Sequence, residues 1–323
     1  MTDENISNKE QTSKLTTFLQ RLTSTIILLA VFGGALYFND TILYAGVLCL
    51  LSLMTSFEWY KMLKVSGKPA QPKISFWCNI LLILLAFSAV YASQSCDTGR
   101  VIFMFVLLSV LVVPITAIIT FTYAMRKPIE GTNSLQEVGT SILSLIYPNG
   151  MFLAGALLLF YSQSQFASYG LTDGVAYLIF VLLITKGSDI FAYISGVLLG
   201  GKFFTKKLIP HISPKKSWEG IIGSFILTQI FGFLLAYCLL EFLVWSNGFS
   251  LSDIHSLYLF IFIAVMFVLA VIGDLAGSLI KRSLSVKDSG SLLPGIGGIF
   301  DLIDSPAFTL PIATALWIIC FLS

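Results

Sequence analysis

Of 323 residues, 56% are hydrophobic and 11% are charged, where an ordinary soluble domain carries about 25% charged residues; with a mean hydropathy of +0.89, a soluble fold is excluded. Nineteen basic and 17 acidic residues leave a net charge of +2, too weak a field to argue for nucleic acid as a partner. The five cysteines (Cys49, Cys78, Cys96, Cys238, Cys320) show no paired spacing and all but Cys96 sit in apolar runs, so neither a disulfide framework nor a zinc site is indicated.

Residues 1–21 are polar and mixed in charge, and the apolar run after them lacks a small-residue cleavage site; they read as a cytoplasmic N-terminal tail. A helix crosses the hydrocarbon core with about 20 apolar residues. Nine such runs follow, near 22–38, 41–58, 74–93, 101–124, 142–160, 174–200, 220–245, 256–280 and 306–323. The fold class is therefore an all-α polytopic membrane protein of nine transmembrane helices, a solution that satisfies backbone polar groups inside each helix.

Sidedness follows from the basic residues, which stay cytoplasmic in short loops. With the N-terminus inside, 17 of the 19 fall in cytoplasmic segments, Arg100 falls outside and Lys186 lies within the sixth span. Eight or ten spans would spoil this alternation. The outer loops at 161–173 and 246–255 carry no Lys or Arg and read as connectors. The cytoplasmic loops at 201–219 and 281–305 combine charge, Gly and Pro, and chemistry is expected there. The organisation is then a tail over 1–21, helices 1–5 over 22–173, and a C-terminal region over 174–323 with helices 6–9 and their cytoplasmic loops.

Ionisable groups inside these spans are costly, at least about 2.5–3.5 kcal/mol each near the bilayer centre. Lys186 and Asp189 stand three residues apart in the sixth span, on one helix face, and either form a structural ion pair or wall a site. Asp274 lies well inside the eighth span, two turns before Lys281 and on the same face; Arg282, Lys287 and Asp288 follow. Snorkelling accounts for Lys281 and Arg282, but not for the depth of Asp274. Gly295, Gly297 and Gly298 let the backbone approach a ligand, with N–H groups available to phosphate oxygens. Asp301 and Asp304 come next, three apart, and hard divalent cations bind through such carboxylates together with substrate phosphates. Asp304 also suits the N-cap of the last helix, ahead of Ser305 and Pro306. Lys215 and Lys216, behind Ser213 and Pro214, suit a triphosphate or a lipid phosphate, or simple anchoring at a helix end. Glu58 and Glu241 lie near span ends, within reach of water or headgroups, and receive no role.

Taken in order, SPKKSWEG (213–220) and GDLAGSLIKRSLSVKDSGSLLPGIGGIFDLIDS (273–305) resemble the phosphatidate cytidylyltransferases, also called CDP-diacylglycerol synthases. The resemblance covers about 185–310, and Asp189 matches the aspartate ahead of the Ser-Pro-Lys-Lys loop. It implies transfer of CMP from CTP to phosphatidic acid, giving CDP-diacylglycerol and pyrophosphate, with a divalent cation, magnesium (Mg²⁺), as cofactor. It further implies that Asp274, Lys281, Asp301 and Asp304 are catalytic, the three aspartates holding the metal. Ser213, Lys215, Lys216, Arg282, Lys287, Asp288, Gly297, Gly298 and Asp189 then contact the substrates.

Three positions depart from the family pattern: Ile296 stands where His is frequent, Leu302 where Arg is usual, and Gly277 where Glu usually precedes Ser278. None is one of the expected metal ligands. A related CTP-dependent lipid kinase or a transferase on another lipid phosphate would use the same groups. A secondary transporter, the alternative from a different class, would need matching helix interruptions in both halves, and helices 1–5 offer no counterpart to Lys186 and Asp189. The partners expected are CTP, phosphatidic acid and the lipid bilayer, with room for a homodimer. The place expected is a bacterial inner (cell) membrane, with the active site facing the cytoplasm.

Overall fold

The computed structural model describes residues 41–68, 70–93, 98–126, 133–165, 172–203, 207–243, 256–290, 292 and 297–322, together with Thr23 and Gly34. In chain order these form α1 (Thr41–Ser66), α2 (Pro72–Ser93), α3 (Thr98–Ala124), α4 (Asn133–Gln165) and α5 (Thr172–Leu199). A hairpin of β1 (Lys207–Ile209) and β2 (Ser213–Ser217) follows, then α6 (Trp218–Leu243), α7 (Ser256–Ser283), the one-turn α8 (Ile299–Ile303) and α9 (Pro306–Leu322).

Among the described residues, seven helices are long and apolar enough to cross a membrane, and they correspond to the second through eighth expected spans. The ninth expected span is α9, a shorter apolar helix. The first, at 22–38, lies outside the described residues apart from Thr23 and Gly34, as does the connector at 246–255. The chain is an integral membrane protein built of helices. Its outward surface carries large apolar side chains such as Leu84, Ile118, Ile230 and Tyr258, all exposed to the surroundings, which is what a lipid solvent permits.

Local chemistry sets the helix ends. α1 stops at Gly67, whose φ of +61° is a left-handed conformation that suits glycine past a helix end. Pro72 and Pro306 occupy the first positions of α2 and α9, where a missing N–H costs nothing. Lipid offers no hydrogen-bond partners, so polar side chains turn inward and join helices. Ser52 donates to Asn149 Oδ1 (2.7 Å), Asn149 donates to Asn79 Oδ1 (2.5 Å), and Asn79 donates to the Ser144 carbonyl (3.2 Å), linking α1, α2 and α4.

The largest apolar cluster gathers Leu158 of α4, Ile184 of α5, Ile263 and Met266 of α7, Ile299 of α8 and Leu310 of α9. Small residues bring α5 and α6 close: a Cβ on Gly223 would fall 2.8 Å from Ser195 Oγ, and one on Gly220 would fall 3.2 Å from the Gly196 Cα. Such contacts are how membrane helices pack without a hydrophobic drive between them. They hold the start of α6, and with it the β hairpin, against α5. The hairpin is antiparallel, with Lys207 opposite Ser217 and Ile209 opposite Ser213.

Candidate active site

The charged residues gather where the C-terminal parts of α1 and α7 meet α5, the hairpin and the segment that leads into α9. Three ammonium groups pair there with four carboxylates, each ion pair lying within or between these elements.

Asp301 sits in the first turn of α8. Its Oδ1 is ion-paired with Lys281 of α7. Its Oδ2 accepts the Ser289 hydroxyl (2.8 Å), the Gly298 N–H (3.2 Å) and the Ser289 N–H (3.3 Å). Gly297, with φ at +121°, takes a conformation that any side chain would strain, and so lets the loop turn over Asp301. Burial alone would raise the Asp301 carboxyl, but the hydrogen bond and charge of Lys281, with Ser289 and Gly298, outweigh it and hold it below the usual carboxylate range. The glycine N–H expected to face a phosphate thus faces Asp301 at Gly298. Gly295 and Ile296 lie outside the described residues.

Asp304 follows α8 and is 5% exposed. Its Oδ1 accepts the Ser305 N–H (2.7 Å) and lies 3.8 Å from Lys186 Nζ. The same Lys186 contacts Asp189 Oδ2 at 3.3 Å, and the Ser305 hydroxyl lies 3.1 Å from that atom. The expected Lys186–Asp189 contact on one helix face is therefore present, and it extends to Asp304. α7 reaches this corner through glycine: a Cβ on Gly273 would fall 2.6 Å from the Asp304 carbonyl oxygen, and one on Gly277 would fall 2.6 Å from the Asp304 Cβ. The absence of a side chain at Gly277 is what seats Asp304 against α7.

Asp274 is ion-paired with Lys216 of the hairpin rather than with Lys281 of its own helix. Ser213 is half-buried in β2, and the Lys215 side chain lies outside what is described. Arg282, in the last turn of α7, and Lys287 and Asp288, beyond its end, are exposed, with Arg282 Nη1 3.5 Å from the Val286 carbonyl. The structure thus brings Asp189, Asp274, Asp301, Asp304, Lys186, Lys216 and Lys281 together, and leaves Arg282, Lys287 and Asp288 on the surface.

Three residues of the first half, Glu58, Trp59 and Tyr147, enter the site unannounced by the sequence. Glu58, expected within reach of water or headgroups, is 1% exposed. Its Oε2 accepts the Phe300 N–H (2.9 Å) and lies 3.4 Å from the Ser289 hydroxyl. Next to it, Trp59 packs on Phe300 (ring centroids 5.4 Å apart) and on Tyr147 of α4 (5.9 Å). Tyr147 in turn lies 5.6 Å from Phe300, with its hydroxyl 3.5 Å from the Asp304 carbonyl. Nothing local marks Trp59 as a site residue or Glu58 as buried. The only available signal was its place inside an apolar run.

Among the described residues no three carboxylate, thiol or imidazole groups converge at metal-ligand distance. Mg²⁺ does not require such a cage, since it commonly takes one or two protein carboxylates and completes its shell with water and substrate phosphates. The all-oxygen donor set offered by Asp189, Asp274, Asp301 and Asp304 fits that preference.

A membrane-embedded helical bundle with paired lysines and aspartates at one edge is the arrangement of an enzyme that handles phosphates at a lipid surface. Residues 19–320 match the model of the Cytidylyltransferase family, and the chain belongs to that family. It is similar to the phosphatidate cytidylyltransferase of Haemophilus influenzae, 29% identical over 298 residues that cover 90% of this chain and 96% of the relative. It is also similar to that of Helicobacter pylori, 28% identical over 288 residues covering 89% and 87%. The protein of the same name from Rickettsia bellii is 39% identical over 124 residues, 38% of this chain and 50% of the relative.

Proposed function

We propose that this chain transfers the cytidylyl group of CTP to phosphatidic acid, giving CDP-diacylglycerol and pyrophosphate. The observation that carries the reading is the set of Lys186, Lys216 and Lys281, each set against an aspartate at one edge of a membrane bundle of the cytidylyltransferase family. An oxygen of the lipid phosphate attacks the α-phosphorus of CTP, the bond from that phosphorus to the β-bridging oxygen breaks, and pyrophosphate leaves. The attacking oxygen is already anionic, so the protein needs no strong base; it positions the two substrates and balances charge.

In this reading Lys216 and Lys281 exchange their carboxylate partners for substrate phosphates, with Lys215, Arg282 and Lys287 as further cationic contacts. Ser213, Asp288 and the Gly297–Gly298 backbone line the nucleotide. Asp274, Asp301 and Asp304 hold Mg²⁺, with Asp189 beside them. The metal supplies charge neutralisation of the triphosphate when bound. The basic residues of the short loops orient the site toward the cytoplasm of a bacterial inner membrane.

The test is conversion of labelled CTP by detergent-purified protein with phosphatidic acid and Mg²⁺. CDP-diacylglycerol and pyrophosphate that disappear in Asp301→Asn and on chelation of Mg²⁺ are the expected result. Lipid phosphate and CDP would mean a kinase, and no turnover by folded protein would remove the reading.

A further inference from the structure

We infer that Glu58 is a positioning residue for this transfer: from α1, in the first half of the chain, it sets the place of Ser289 and of the start of α8, and through them the aim of Asp301. The inference rests on the proposed function for its kinetic readout.

A carboxyl group 1% exposed inside a membrane helix is retained against a large desolvation cost only when donors meet it. Among the described residues no Lys or Arg is paired with Glu58, and its partners there are hydrogen-bonding groups of the loop and α8. Its Oε2 takes the Phe300 N–H at 2.9 Å and touches the Ser289 hydroxyl at 3.4 Å. The Ser289 hydroxyl has one proton, and the shorter bond, 2.8 Å, delivers it to Asp301 Oδ2. Ser289 thus sits between two carboxyl groups, hydrogen-bonded to Asp301 of α8 and in contact at 3.4 Å with Glu58 of α1.

The loop closes on Glu58 without slack. A Cβ on Gly290 would fall 2.6 Å from Glu58 Oε1, and one on Gly298 would overlap both the Ser289 hydroxyl and the Glu58 carboxyl. Gly298 also donates its N–H to Asp301. Every donor to Asp301 Oδ2 thus belongs to a residue that touches Glu58, while Phe300, the residue before Asp301, hangs its N–H on Glu58 directly. A shift of the Glu58 side chain displaces Asp301 against its partner Lys281, while the ion pairs of Lys186 and Lys216 are made with other carboxylates.

The experiment compares wild type with Glu58→Gln, Glu58→Leu and Ser289→Ala in the full chain in detergent. Folding is followed by thermal midpoint and size exclusion, function by kcat, by KM for CTP and phosphatidic acid, and by the Mg²⁺ concentration for half-maximal turnover. A readout independent of turnover is the rise in thermal midpoint on adding Mg²⁺ with CTP. Gln keeps an acceptor of the same shape and stays near wild type. Folded Glu58→Leu and Ser289→Ala lose about 10- to 100-fold in kcat, the range for removing a residue behind a ligand, with KM little changed, a higher Mg²⁺ requirement and a smaller thermal response. Wild-type kcat and Mg²⁺ response in folded Glu58→Leu overturn the inference. Should Glu58→Leu fail to fold, Gly290→Ala, whose added Cβ would press on Glu58 Oε1 at 2.6 Å, decides by the same criteria. Absence of product from wild type would remove the proposed reaction instead, and the thermal response of Ser289→Ala to Mg²⁺ with CTP would still decide on the positioning of Asp301.

Discussion

Lys216 of the β hairpin is ion-paired with Asp274 of α7, so the Ser-Pro-Lys-Lys loop is tied to the membrane helix that carries a candidate metal ligand. Both side chains keep partial access to solvent, 20% and 31%. A partly exposed pair of this kind is screened by solvent and contributes little to stability, about 1 kcal/mol. Lys216→Ala is expected to leave the thermal midpoint within a few degrees of wild type while raising KM for CTP or for phosphatidic acid about tenfold, the equivalent of about 1.4 kcal/mol of lost binding. Steady-state kinetics in mixed micelles measure it. Unchanged KM for both substrates would leave Lys216 an anchor at the start of α6.

Asp301→Asn keeps the size of the side chain and an acceptor for Ser289 and Gly298, but it removes the charge that faces Lys281. Turnover is expected to fall at least about a hundredfold, in line with loss of one electrostatic group at a reacting phosphate, with the protein still inserted and monodisperse. The thermal midpoint should drop, because Lys281 is left half-buried without its partner. Near-wild-type turnover would take Asp301 out of the site.

The spans were legible because lipid imposes a length of about 20 apolar residues on each helix, and seven helices of the described chain answer to it. The Lys186–Asp189 pair was legible for a similar reason: three residues on a helix share a face, and the two side chains meet at 3.3 Å. Pairing between segments was not. Asp274 and Lys281 share a face of α7, yet each takes its partner from elsewhere, Lys216 and Asp301. The three-residue β1 is too short for a periodic pattern to announce it. Glu58 is 231 positions from Ser289, and its burial is decided by how α1 packs on α8, which no local rule contains.

Gly277, a position where the family resemblance predicts Glu before Ser278, packs directly on Asp304. A Cβ there would press on the Asp304 Cβ at 2.6 Å. Gly277→Ala is expected to displace Asp304, destabilise by about 1–3 kcal/mol as overpacking does, and reduce turnover more than Gly139→Ala, a control at a helix position with open space around the added carbon. Gly277→Glu should be worse still. Equal thermal midpoints and turnover for the two alanine variants would mean that α7 and Asp304 are not packed as described.

Asp304 should reveal itself through pH. Burial pushes its carboxyl up, Lys186 opposes, Asp274 and Asp189 add to the rise, and the net result is about 7 against an ordinary 3.8. The folded chain therefore holds this proton more tightly than the unfolded chain does. By linkage, its contribution to stability is complete below about pH 4 and is lost as pH rises through about 7. In EDTA, the thermal midpoint of wild type relative to Asp304→Asn is thus expected to decline across that window and to level off above it. Mg²⁺ binding requires the deprotonated carboxylate and releases the proton, so adding Mg²⁺ should raise the wild-type midpoint most above pH 7 and leave the Asn variant nearly unmoved. A wild-type advantage that grows with pH in EDTA would mean that Asp304 is ionised in the folded chain at neutral pH, with Lys186 outweighing its burial.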